Sequence, residues 1–160
     1  MKKIGVLIFV NILLVILQNS FFNELFSAKF NPNLVMAFGF AFLLMNDEEV
    51  GLSSLLIGGL VYDLLTFVTV GFSSFLFLIL FELCVIATHY FSKSLPFKFL
   101  LLFISATIYT FFAVSNSFGS ALVVAALTLL TSIIFYLLDA NLLRYFSGTE
   151  LGLMRQGYRS

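Results

Sequence analysis

Few residues of this chain are of a type that does chemistry, and those few lie in oily surroundings. Asp63 sits in the run Gly58-Gly59-Leu60-Val61-Tyr62-Asp63-Leu64-Leu65-Thr66; Glu82 and His89 share a later apolar run, and Asp139 lies near the end of the last one. A carboxylate at depth in lipid costs roughly 2.5–3.5 kcal/mol on insertion scales, so it must face protein or water. Asp63 is therefore expected either to bond a neighbouring helix or a backbone N–H near Gly71, or to line a cavity or a partner surface. The first use is the commoner one. Glu82 is expected near the bilayer centre, buried and held by an interhelical hydrogen bond. Glu82 and His89 suggest a proton relay, yet they are two turns apart and no acid–base chain joins them to Asp63. One His and one Cys, Cys84, build neither a metal site nor a disulfide, and Cys84 reads as a small packing residue. No glycine-rich phosphate loop and no nucleophile–base set of familiar spacing is present, so no catalysis and no cofactor are expected.

The elements that must carry these groups follow from composition. The chain is 61% hydrophobic and 10% charged, with a mean hydropathy of +1.12, which makes lipid its main solvent. Eight basic residues balance eight acidic ones, so nothing attracts nucleic acid. An all-α integral membrane protein is expected. Apolar runs between polar breaks place six spans at 4–22, 33–45, 50–70, 72–91, 97–114 and 119–143, within a membrane domain at 1–146. Residues 147–160 read as a short cytoplasmic tail. The first run is expected to be a retained span, since it is long for the core of a signal peptide.

The second run is short for a crossing. Asn31-Pro32-Asn33 before it is a good helix start, with Asn31 as the expected cap and Pro32 in the first turn. Asn46-Asp47-Glu48-Glu49 after it places acids at the start of the third helix, complementing its dipole. With Met1 inside, the cytoplasmic face holds Lys2, Lys3, Lys93, Lys98, Arg144, Arg155 and Arg159, and the outer face holds Lys29, accounting for all eight basic residues. That asymmetry predicts six crossings with both termini cytoplasmic.

Helical spacing then groups the polar and small residues. Gly59, Asp63 and Thr66 fall on one face of the third span. Ser54 and Gly58 form a patch of small residues where another helix can approach, and Gly58→Leu is expected to weaken partner binding there. Ala121 and Ala125 form a second such pair. Thr128, Ser132, Tyr136 and Asp139 draw a polar stripe down the last span, expected to face the bundle interior.

The stretch Asn31-Pro32-Asn33-Leu34, the run Gly59-Leu60-Val61-Tyr62-Asp63-Leu64-Leu65, and Gly71 with Phe72 opening the next helix resemble the rod shape-determining MreD family. The matches cover about residues 31 to 91; the rest agrees in hydropathy. The chain departs from the family at Thr66-Phe67-Val68-Thr69, where members carry Gly or Ser. The resemblance implies a non-catalytic component of the bacterial elongation machinery, in the inner membrane, that binds MreC and acts with the wall polymerase RodA and its penicillin-binding partner. It also implies a fold like that of the six-helix substrate-binding subunits of energy-coupling-factor vitamin transporters. Candidate contact residues are Pro32, Asn33, Ser54, Gly58 and Gly59. A vitamin-binding transporter subunit is the alternative; its partner-docking alanines are absent from the first span but have a counterpart in Ala121 and Ala125.

Overall fold

The computed structural model describes residues 2–26, 30–66, 69–114 and 117–147, with side chains at 4–25, 30–66, 69–113 and 117–137. Helix α1 (Lys2–Leu17) runs on through a π-helical turn (Gln18–Phe22) into the short α2 (Asn23–Phe26). Then follow α3 (Leu34–Leu44), α4 (Glu48–Thr66), α5 (Phe72–Tyr90) and α6 (Leu95–Tyr109). A second π-helical turn (Thr110–Val114) extends α6, and α7 covers Phe118–Ser147. All elements among the described residues are helical.

Among the described residues, five stretches are long and apolar enough to cross a membrane: Ile4–Leu25, Glu48–Thr66, Phe72–Tyr90, Leu95–Ala113 and Phe118–Leu137. Their outward faces are mostly apolar, with Phe9, Phe75, Leu83 and Leu130 exposed, whereas Asn11, Asp63, Thr128 and Ser132 are buried; Glu82, exposed on Phe72–Tyr90, is an exception. Lipid favours this arrangement because it has no hydrogen bonds to offer a polar side chain.

The second predicted span is different in kind. Helix α3 has 11 residues, every one of them buried, and at 1.5 Å per residue it is about 16 Å long. A hydrocarbon core is about 30 Å thick, so α3 alone does not cross it. A helix that is apolar on every side belongs in a core, and α3 packs against α1, α4, α6 and α7. Phe40 of α3 meets Phe81 of α5 edge to face at 5.4 Å. Leu55, Phe77, Leu102 and Ala106 complete that core.

The start of α3 is buried and its far end only partly so, and the unpaired backbone groups of both take protein partners. At the start, the Met36 N–H donates to Asn33 Oδ1 at 2.9 Å. Asn33, not Asn31, is therefore the cap. Asn31 instead donates from Nδ2 to the Gln18 carbonyl at 2.9 Å, tying the entering segment to the first π-helical turn. The Leu34 N–H donates to Gln18 Oε1 at 2.9 Å, and the Asn33 N–H to Thr128 Oγ1 at 3.1 Å. At the other end, Asn46 adopts a left-handed conformation with φ 62°. This brings the Asp47 N–H onto the Phe42 carbonyl at 2.9 Å and the Asn46 N–H onto that of Leu43 at 3.2 Å, a Schellman close. Lys98 adds its ammonium, donating to the Leu43 carbonyl at 2.8 Å and to Asn46 Oδ1 at 2.7 Å. A cation is favoured at a helix C-terminus, where the dipole is negative.

Glu48 and Glu49 occupy the first turn of α4, as their sequence position predicts. Pro96 lies in the first turn of α6. The tail residues 148–160 lie outside the described residues, as does Lys29.

Candidate functional site

The corner between α4 and α5 carries the densest set of the predicted residues. Gly71 takes φ 91° there, a left-handed turn that glycine adopts without strain, and it caps α5. The turn aims the first N–H groups of α5 back at α4. Asp63, fully buried, accepts from the Ser73 N–H, at 3.0 Å to Oδ2 and 3.3 Å to Oδ1. The carboxylate thus stands where the helix dipole of α5 is positive. One turn earlier on α4, a side chain at Gly59 would place its Cβ 2.5 Å from Ser74 Cα and 2.6 Å from Ser74 N. Only glycine lets the two helices meet this closely. Ser74 Oγ completes the seam by donating to the Leu56 carbonyl at 3.0 Å. Thr66, on the same face, turns its hydroxyl to the Tyr62 carbonyl of its own helix at 2.7 Å.

Ser54 and Gly58 are likewise occupied within the chain. Asn11 Nδ2 donates to the Leu7 carbonyl at 2.9 Å and to Ser54 Oγ at 3.3 Å. A Cβ at Gly58 would collide with Asn11 Oδ1 and Val35 Cγ1. The patch of small residues on α4 is where α1 and α3 seat themselves, and it offers no face to a second protein. Ala121 and Ala125 are also fully buried. Pro32 and Asn33 are buried at the start of α3.

The stripe on α7 faces inward as far as its side chains are described. Ser132 donates to the Ala37 carbonyl at 3.1 Å and to the Thr128 carbonyl at 3.0 Å, while Thr128 holds the Asn33 N–H. Tyr136 is half-buried. The side chain of Asp139 lies outside the described ones.

Glu82 departs from expectation: it is exposed rather than buried. The rotation of α5 gives the core to Phe81 and Cys84, on either side of it, and turns Glu82 to a cleft of about 240 Å³ shared with Glu48 and Glu49. His89 Nε2 lies 3.0 Å from Glu48 Oε1 at the rim, joining the end of α5 to the start of α4. Cys84 is buried with Sγ 3.1 Å from Ser105 Oγ, consistent with a packing role.

A polar cavity of about 190 Å³ opens beside the start of α3, at the end of the bundle that holds Asp63. The carboxamides of Gln18, Asn19, Asn23, Asn31 and Asn33 line it. Sequence reasoning missed Asn11, Gln18 and Lys98, all buried. A signal for the first two was present: Leu7, Asn11, Leu14 and Gln18 follow at spacings of four, three and four, one face of α1. Lys98 was counted only for its charge. Compared with family models, curated proteins and solved structures, the chain has no match.

Proposed function

We propose that this chain is a non-catalytic scaffold of the bacterial cell-wall elongation machinery, required for rod shape. It holds MreC, and through it RodA and the penicillin-binding partner, by contacts on lipid-facing helix surfaces. In this proposal the chain lies in the inner membrane, crosses six times counting α3 with its flanking segments, and keeps both termini cytoplasmic. The observation that carries the reading is the use of Gly59 and Asp63, the core of the resemblance to MreD. Both are committed to seating α5 on α4. A motif used in this way builds a rigid body and leaves no free reactive group. The outward face of α1, with Phe9, Leu13 and Ile16 exposed, is apolar and suited to association within lipid.

The alternative of a vitamin transporter subunit is less well supported. Its docking feature, Ala121 and Ala125, is covered by the chain itself. The cavity of about 190 Å³ has room for about one ring, less than a multi-ring vitamin needs.

Co-purification tests the scaffold directly. MreC from the same cell is expected to be retained by the affinity-tagged chain after detergent extraction and to remain with it through gel filtration. Complete separation of the two at every protein concentration would remove the proposal. Accessibility labelling of single cysteines placed at the two termini tests the topology, and labelling of one terminus from each side of the membrane is incompatible with six crossings.

A further inference from the structure

The polar cavity beside α3 has a composition that selects its occupant. Five carboxamides line it, joined by the phenols of Tyr62 and Tyr109 and the hydroxyl of Thr110. These groups both donate and accept hydrogen bonds; Gln18 Oε1, Asn33 Oδ1 and the Thr110 hydroxyl proton are already used within the chain, which leaves the amide N–H groups of Gln18 and Asn33, the Thr110 oxygen as an acceptor, and Asn19 and Asn23. No Lys, Arg, His, Asp or Glu is among the described lining residues, so a phosphate, a carboxylate or an ammonium would find no counter-charge in them, at a cost of several kcal/mol. A purely apolar ligand would strand the carboxamides instead. Two facts bear on Asn31, which lines the cavity: its Nδ2 is held by the Gln18 carbonyl, and its Oδ1 is buried with no partner among the described residues. One acceptor of a lining residue is thus left unsatisfied by the described residues. That space slightly exceeds the roughly 150 Å³ that takes a single benzene ring, so it admits one six-membered ring with small substituents.

We propose that this cavity binds one uncharged sugar ring, with the carboxamides and Thr110 meeting its hydroxyls and the Tyr62 and Tyr109 phenols completing the wall. The site lies at the bundle end that carries Asp63, opposite the end that carries Lys98 and His89. A free monosaccharide and the headgroup of a glycolipid share this chemistry. Binding is independent of the scaffold reading and stands or falls by itself.

The test uses the full chain in nanodiscs free of glycoside detergents. Binding of glucose, N-acetylglucosamine and a short alkyl glucoside is measured by titration calorimetry and thermal shift, with glucose 6-phosphate and glucosamine as charged controls. Saturable binding of at least one neutral sugar at millimolar concentration or below is expected, with the charged controls at least about tenfold weaker. Stronger binding of the alkyl glucoside than of glucose assigns the site to a glycolipid headgroup, and equal binding assigns it to the free sugar. Val124→Phe, which adds bulk at the cavity wall, is expected to abolish binding. Asn19→Ala combined with Asn23→Ala is expected to weaken it about tenfold; both side chains are exposed on the rim, so this variant keeps the fold if Val124→Phe does not. Absence of saturable binding by every neutral sugar, binding unchanged in both folded variants, or equal binding of the charged controls would each overturn the proposal.

Discussion

The carboxylate of Asp63 and the backbone N–H of Ser73, ten residues apart in sequence, meet at 3.0 Å in the interior and hold α5 to the end of α4. An aspartate within an apolar helix is usually suspected of a role in transport or catalysis. Here its two oxygens are directed at one helix N-terminus, with Gly71 shaping the turn that presents it. Asp63→Asn keeps an oxygen that can accept from Ser73, whereas Asp63→Leu leaves that buried N–H bare, at a cost of about 1–3 kcal/mol. The Leu variant is expected to melt lower than the Asn variant and, under the proposed scaffold function, to restore rod shape less well in a deletion strain. Equal melting and equal complementation by the two would remove the hydrogen bond from the explanation.

Gly59 supplies the closeness that this bond requires. A methyl group there would overlap the Ser74 backbone, which cannot swing aside as a side chain does. Gly59→Ala is expected to destabilise by about 1–3 kcal/mol, the usual range for overpacking. Gly119→Ala is the control, since nothing lies within 4 Å of the added carbon. It is expected to leave stability unchanged or to raise it slightly through helix propensity. Thermal unfolding of both variants in the same lipid settles the comparison.

Gly58→Leu, read from sequence as a partner-binding variant, has a different expected outcome. The new side chain would strike Asn11 and Val35 and push α1 and α3 off α4. Its effect should be a fall in the amount of folded protein in the membrane, and under the proposed scaffold function MreC recovered per folded molecule should stay constant. Quantifying both in one pull-down separates these outcomes, and normal abundance with lost MreC would restore the original reading.

Lys98 is expected to matter to α3 more than to membrane orientation. Lys98→Met removes two hydrogen bonds from a charged donor, bonds of a class worth about 1.5–3 kcal/mol each. Asn46→Gly keeps the left-handed turn and loses one acceptor, so its loss should be smaller. Limited proteolysis between α3 and α4 should be fastest for Lys98→Met, intermediate for Asn46→Gly and slowest for the parent chain. The reverse order would show that the turn closes without the lysine.

The start of α3 depends on two helices distant in sequence. Gln18→Leu strips the acceptor from the Leu34 N–H, and Thr128→Val strips it from the Asn33 N–H at nearly unchanged volume. Each is expected to cost about 1–3 kcal/mol. Because they serve the same helix end, their effects should couple by at least about 0.5 kcal/mol in a double-mutant cycle. Hydrogen exchange at residues 33–36 should rise in both single variants. Protection equal to that of the parent would mean that the end is satisfied in another way.

Composition and the spacing of apolar residues were enough to establish a helical membrane chain, its helix boundaries to within a few residues, and the inward direction of Thr128 and Ser132. Burial of a helix face follows from local periodicity, which a sequence displays openly. The acids at the start of α4 and the glycine turn before α5 were legible for the same reason: they act on backbone groups a few residues away. Only the tertiary structure decided that α3 is a short enclosed core helix, that Glu82 faces outward, and that Gln18, Thr128 and Lys98 complete the ends of α3. Those outcomes depend on which distant helices stand side by side and how each is rotated about its axis. A rotation of one residue, about 100°, carries a side chain from core to surface, and the pairing that sets it lies between residues 16, 55 or 95 positions apart.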